Sequence, residues 1–321
     1  MSAELTRIAV VGAGDLQAKA FLEALKDAGG TAAEVVPLGA QLGAVELDLS
    51  EDTTAEVFLP LEKEHLGGCH WVVLFSRDVA AREAVREWIR GGGQVLLDMA
   101  ADADSGAGWL DPLSPEGPVI GEAGLSFPEA HAVYVSRMLG HLSGGAIGPV
   151  SAQLMLPASR FGEQGVLELY QQAVSLLTFK PAPTDVLPRQ TAFNCWPEPG
   201  AGGADLFPAQ VRSLAGLPDL RASCVALQTG AFHSTALSIT LQMSNATEAV
   251  KTLSEALARD ETFRAWTGEN WPSVMDVAGE GRPVIAASAL DPLTLWIWMV
   301  FDNAKAGKGV LAARWLMGQP R

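Results

Sequence analysis

The stretch Arg7-Ile-Ala-Val-Val11-Gly-Ala-Gly-Asp-Leu-Gln-Ala-Lys-Ala-Phe-Leu-Glu-Ala-Leu25 decides the fold. A short apolar run ends at Gly12-Ala13-Gly14, and from Asp15 to Ala28 the residues Leu16, Ala20, Phe21, Ala24 and Leu25 recur at helical spacing. The reading is strand, glycine turn, helix. A second cycle follows, with Trp71–Phe75 as strand, Asp78–Arg90 as helix, Gly91-Gly-Gly93 as its stop and Gln94–Asp98 as strand. Strands alternating with helices predict an α/β, doubly wound parallel sheet. Between about residues 100 and 118 lies a loop rich in Gly, Asp, Ser and Pro.

Beyond that loop the rhythm changes. Ser126-Phe-Pro-Glu129 has capping-box spacing ahead of an apolar-periodic segment reaching Leu142, which predicts a helix starting there. Strands are predicted over Val150–Leu156, Ala222–Leu227 and Ala236–Met243, and helices over Glu163–Leu177, Ala246–Arg259 and Lys305–Met317. This mixture predicts an α+β second domain. The apolar run Leu293–Phe301 is too short to span a bilayer and reads as a buried strand with two hydrophobic faces.

At 321 residues, 48% of them hydrophobic, the chain is long enough for two packed domains. A formal charge of −15 argues against nucleic acid or an anionic membrane as partner, because either needs a basic face. The N-terminal residues enter a strand without a basic and apolar leader, and Cys69, Cys195 and Cys224 are odd in number and widely spaced. Both features fit a reduced, cytoplasmic protein. His65 and His70 flank Cys69 at a spacing that suits no standard metal geometry, so no metal is expected.

The glycine turn is the first chemical candidate, since such turns let a pyrophosphate approach the amides of a helix N-terminus. Here the third glycine position holds Gln17, and Asp15 stands in the turn. A carboxylate about 5 Å from a phosphate, at an effective dielectric near 20, costs roughly 3 kcal/mol, about a hundredfold in affinity. Two readings stay open: a weakened dinucleotide site, or a plain βα turn capped by its own aspartate.

Further segments carry a resemblance. They are Val11-Gly-Ala-Gly-Asp15, Phe75-Ser76, Leu97-Asp-Met-Ala-Ala101, Gln190-Thr-Ala-Phe-Asn-Cys-Trp-Pro197, Cys224 with His233-Ser234, Trp271-Pro-Ser-Val-Met-Asp-Val-Ala-Gly279, and Asp302-Asn303. In this order, over nearly the whole chain, they resemble the VGATGxVG, FFS, DNSSA, QxAFNxxP, GHS, YPTPxDxAG and DNLxKG motifs of aspartate-semialdehyde dehydrogenases. The resemblance implies a Rossmann-type domain over residues 1–125, completed by a terminal helix over 303–321. It also implies an α+β domain over 126–302 of the glyceraldehyde-3-phosphate dehydrogenase kind, carrying a homodimer interface. It implies Gly12, Ala13, Gly14, Ser76 and Asn303 as contacts to NADP or NAD, and His233 as general acid/base.

The departures fall at the chemistry. That family attacks its substrate with a thiolate at a helix N-terminus, and here the slot holds Leu125 or Ser126, with no cysteine between Cys69 and Cys195. Ser126 reads as the N-cap partner of Glu129 rather than as a substitute nucleophile. The family's catalytic Gln falls at Leu156 or Pro157, and its substrate-binding arginines fall on Ala100–Asp104 and Val284–Leu290, neither of which holds an Arg. Only His233 survives, as a vestige. The expectation is a divergent, catalytically inactive or repurposed homodimer with weak or lost NAD(P) binding and no named small-molecule ligand. The alternatives are an active NAD(P)-dependent oxidoreductase on another carbonyl, using His233 as acid, and a dimeric scaffold or partner subunit of an active paralogue.

Overall fold

The computed structural model describes residues 6–28, 33–44, 46–48, 56–100, 109–114, 124–142 and 147–318. The chain divides into two compact units, Met1–Pro128 with Lys308–Arg321, and Glu129–Gly307.

The first unit is a Rossmann-type α/β sheet. Its elements are β1 (Thr6–Val11), α1 (Leu16–Asp27), β2 (Ala33–Leu42), β3 (Glu46–Asp48), β4 (Glu56–Leu61), β5 (Trp71–Leu74), α2 (Val79–Ile89), β6 (Val95–Asp98) and β7 (Leu125–Ser126), with a terminal helix at Lys308–Met317. The sheet order is β3-β4-β2-β1-β5-β6-β7, parallel except for β3. The central strands β1, β5 and β6 are almost wholly apolar because both their faces are covered, whereas Val57 and Leu59 of β4 are exposed. Ala9, Val11, Val72 and Leu74 pack with Ala81, Val85 and Ile89 of α2. Ile8 and Val10, which alternate to the other face, are equally buried. The terminal helix packs on α1 and sets Trp315 edge-on to Trp71, ring centroids 5.5 Å apart.

The second unit holds α3 (Ala130–Leu142), β8 (Ile147–Leu156), a 3-10 turn at Ala158–Phe161, α4 (Gly162–Leu177), β9 (Cys195–Pro197), α5 (Phe207–Leu214), β10 (Ala222–Thr229), β11 (Ser234–Met243), α6 (Ala246–Leu257), β12 (Arg264–Ala265), β13 (Val284–Ala289), β14 (Thr294–Asp302) and α7 (Asn303–Ala306). Its mixed sheet runs β12-β13-β14-β11-β8-β10-β9. Leu295, Ile297 and Met299 of β14 pair with Leu241, Ile239 and Leu237 of β11, and this row is wholly buried.

Three expectations need correction. Ser126 is not a helix cap: it is a buried strand residue paired with Asp98, and α3 begins only at Ala130. The Ser-x-x-Glu spacing is therefore coincidental, since Glu129 is not in the first turn of a helix that starts at Phe127. The helix expected over Lys305–Met317 is two helices, broken at Gly307, whose extended backbone (ψ −177°) ends α7. The second apolar face of β14 is covered in part by the chain itself. The Trp298 indole N–H donates to Pro272 O (2.7 Å), and the Trp271 and Trp296 rings lie 4.3 Å apart. The strands β2, β3, β4, β7, β9, β12 and β13 and the helix α5 lie outside the elements that periodicity predicts. Of the loop over 100–118 only Ala100 and Trp109–Ser114 are among the described residues.

Candidate functional site

In the first unit the glycine turn is built as β1 and α1 dictate, with the amides of Gly12, Ala13, Asp15 and Gln17 engaged and the exposed Gly14 N–H without a partner among the described residues. Gly12, in the left-handed region at φ +79°, presses against Ser76; an added Cβ would meet Ser76 N at 2.8 Å. The Gly12 and Ala13 N–H groups both donate to Leu38 O of β2 at 3.0 Å, and Asp15 N–H donates to Gly12 O (3.0 Å). The Asp15 carboxylate caps α1 by accepting from Gln17 N–H at 2.7 Å. The Ser76 hydroxyl donates to Ala40 O (2.7 Å) and accepts from Asp78 N–H. Gln17 takes a further structural role, its Oε1 accepting from Gly309 N–H (3.0 Å). Here the terminal helix comes so close that a Cβ on Gly309 would fall 2.0 Å from Gln17 O. The glycine that permits close approach is thus on the terminal helix, not at position 17.

At the end of β6, Asp98 is buried with Arg86 Nη2 at 2.6 Å, and Arg82 Nη2 stands at 3.5 Å. Its Oδ1 accepts from Ala100 N–H (3.0 Å). The neighbouring substrate-arginine position, residues 101–104, lies outside the described residues.

In the second unit four motifs converge at one end of the sheet, where β8, β10 and β14 finish and β11 begins. The connection Gly230–His233 passes between them. Ala231 O and Phe232 O accept from Ala158 and Ser159 N–H (2.8 and 2.9 Å), and His233 O accepts from Asn303 N–H (3.3 Å). Gly230 abuts Thr191, an added Cβ meeting Thr191 O at 3.2 Å. Asn303 is held at its side chain by the Thr235 hydroxyl (2.8 Å), and Asp302 joins Gly279 N–H (2.7 Å) to the cap of α7 through Ala304 N–H (2.7 Å). The His233 imidazole is exposed and makes no hydrogen bond to a described residue. Of the predicted contacts, Gly12, Ala13, Gly14 and Ser76 therefore meet in one unit, and Asn303 and His233 in the other.

Two buried side chains of α4 build this end, and the sequence reading passed over both. Glu168 accepts three successive amides, those of Asp185, Val186 and Leu187, each at 2.8 Å. Gln172 accepts from Thr191 and Ala192 N–H (2.7 and 3.1 Å) and donates to Pro183 O (2.7 Å). Together they fix the loop that carries Gln190–Asn194, with Phe193 at φ +57° and exposed. Their signal was two polar residues at i and i+4 within an apolar-periodic helix.

None of the three thiols is placed or poised as the expected nucleophile. Burial pushes Cys69 up, and Cys224 is pushed up to about 12 by burial, against a backbone hydrogen bond from Leu154. Both are protonated at neutral pH. Cys195 is exposed at the start of β9, opposite Thr229. Leu125 and Ser126 are both buried in β7. His65, His70 and Cys69 are spent locally: His65 Nδ1 lies 2.8 Å from Pro60 O, His70 Nδ1 accepts from Arg7 N–H, and Cys69 Sγ lies 3.6 Å from His65 O. Among the described residues no cluster of three or more His, Cys, Asp or Glu could hold a metal, and no helix is long and apolar enough to cross a membrane.

This architecture superposes on solved enzymes over its full length. A probable aspartate-semialdehyde dehydrogenase from Pseudomonas aeruginosa matches with TM-score 0.79 at 20% identity, covering 98% of each chain. Aspartate semialdehyde dehydrogenase II from Vibrio cholerae, complexed with ASA, matches with TM-score 0.77 at 16% identity over 99% of this chain and 100% of that one. The Candida albicans enzyme with NADP matches with TM-score 0.68 at 13% identity over 98% and 99%. The chain has the aspartate-semialdehyde dehydrogenase fold. No family model matches it. By sequence it is 28% identical over 172 residues to a USG-1 protein homolog from Azotobacter vinelandii, a match spanning 50% of each.

Proposed function

We propose that this protein is a divergent member of the aspartate-semialdehyde dehydrogenase family that no longer carries out the family's thiol chemistry, and that it binds NAD(P) weakly or not at all. The observation that carries the reading is the nucleophile slot. Ser126 is buried in β7, the hydroxyl of a serine is not ionised near neutral pH, and the chain has no cysteine between Cys69 and Cys195. The first unit supports the cofactor half of the proposal: the amides of Gly12, Ala13, Asp15 and Gln17 are satisfied within the protein, and the Asp15 carboxylate faces the ground a phosphate would take. Neither aspartate semialdehyde with NADP and phosphate, nor the acyl phosphate with NADPH, is turned over. Intact mass spectrometry after incubation with the acyl phosphate tests this, because a single acyl adduct on any cysteine overturns it. Ser126→Cys alone restores no activity.

The same reading includes a cytoplasmic homodimer formed through the second sheet. Across the open face the row Ala286, Trp298, Ser238, Gln153 and Val225 runs in register, and Gln153 and Val225 are exposed. Helix α4 buries Glu168 and Gln172 beside Leu169, Ala173 and Leu176 on one face, while Leu167, Tyr170, Val174 and Leu177 are exposed on the other. A second copy is the proposed cover. Trp298 already packs on Pro272, so Val225→Glu is the cleaner probe. Sedimentation should show a dimer that this change dissociates, and a wild-type monomer at micromolar concentration would sink the idea.

A further inference from the structure

We propose that Arg160 is an anchor for the carboxylate of a small-molecule ligand at the end of the second sheet. The inference rests on the convergence of four family-like motifs at that end of the sheet, and it names the chemistry that a ligand there must bring. No arginine was expected here, because the arginine positions implied by resemblance are empty. The structure supplies one from the turn after β8 instead.

The guanidinium is held as a built group rather than a loose surface charge. Its Nε donates to Gln228 Oε1 at 2.6 Å, its Nη2 is ion-paired with Glu198, and its carbon lies 4.0 Å from the centre of the Phe161 ring. Gln228 is wholly buried and fully committed, its amide nitrogen donating to Leu156 O (3.1 Å) and Thr229 O (3.0 Å). The buried amide therefore has one orientation, and it fixes the arginine plane. Of the five N–H groups of a guanidinium, those on Nη1 and the second on Nη2 have no partner among the described residues, and the side chain is 21% exposed. What remains open is the end-on fork that matches the two oxygens of a carboxylate. Ser159 N–H bonds Phe232 O, so the backbone of the turn that carries Arg160 is tied to the connection that carries His233. Glu198 already offsets the guanidinium charge, so recognition rests on the directed N–H pair rather than on net attraction, and a phosphate dianion would be opposed more strongly than a planar monoanion.

Phenylglyoxal modification of the full-length protein, mapped by peptide mass spectrometry, tests the proposal. The exposed Arg90 and Arg221 serve as internal references. Acetate, glycolate and propionate, all monoanions, are the probes, with acetamide and propionamide as uncharged counterparts. The expected result is that Arg160 reacts, that at least one carboxylate slows its reaction tenfold or more, and that the amides and the reference arginines show no such effect. An inert Arg160, equal slowing by the amides, equal slowing at Arg90 and Arg221, or no slowing by any carboxylate would each overturn the proposal. No dinucleotide and no acyl phosphate is present, so failure here leaves the missing-thiol reading standing, and the converse holds.

Discussion

The glycine turn of the first unit and the open end of the second sheet both keep family-like motifs, but they have kept them for different reasons. In the turn, most of the backbone and hydroxyl donors are spent within the protein. Leu38 O takes two amides, Asp15 takes a third, and the Ser76 hydroxyl goes to Ala40 O. At the sheet end the backbone is equally well tied, yet side chains remain outward: the His233 imidazole, the Cys195 thiol and the free fork of Arg160. A motif can survive because it folds the chain or because it meets a ligand, and the destination of its polar hydrogens separates the two cases.

The comparison can be broken at several points. The largest effect is expected at Gly309. Gly309→Ala places a methyl 2.0 Å from Gln17 O, so the terminal helix must move off α1 and the first unit should lose about 3 kcal/mol. Urea denaturation measures it, and a neutral result would mean that the turn is not locked as described. Next is Glu168→Ala, which strands the amides of residues 185–187. It should cost about 2–3 kcal/mol by the same assay and loosen the loop bearing Gln190–Asn194, visible as faster amide exchange there.

Asp15→Gly sharpens the contrast from the other side. It removes the internal anion at modest cost to the cap, and NADPH affinity should rise about tenfold, or about 1.4 kcal/mol. Submicromolar NADPH binding by the unmodified chain would collapse the distinction between the two regions.

The smallest effect concerns acid stability of the second unit. Burial of Asp260 opposes its ionisation, but hydrogen bonds from Thr262, Arg137 (2.8 Å) and His141 (2.7 Å) outweigh that and hold the carboxyl below the usual range. A depressed folded pKa contributes stability that is fully present above the unfolded value near 3.9 and lost as pH falls through the folded one. Urea midpoints between about pH 2 and 6 should therefore fall with acid, and Asp260→Asn should flatten that slope while lowering the plateau.

Much of the framework was legible in the sequence because its signals are local. The run Arg7–Val11, the glycine turn and the helical spacing from Leu16 to Leu25 each lie within one or two turns of chain, and β1 and α1 follow them. Where a local signal competed with a distant partner it misled: Ser126 pairs with Asp98 rather than capping a helix, and the spacing to Glu129 carried no knowledge of β6. Helix α4 is the sharper case. Its periodicity is plain, but periodicity alone cannot say that Glu168 and Gln172 face inward, because the amides that make this favourable belong to a loop later in the chain.

By itself the sequence determined the strand–turn–helix at the start of the chain, the α/β and α+β character of the two parts, and the absence of a cysteine between Cys69 and Cys195. Only the tertiary structure decided which amides of the glycine turn are spent, which face of α4 is buried, and that Arg160 is pinned by Gln228, 68 residues away along the chain. The reason is physical. Periodicity follows from the repeat of one backbone conformation, whereas the satisfaction of a buried donor or acceptor depends on a partner that only folding brings within about 3 Å.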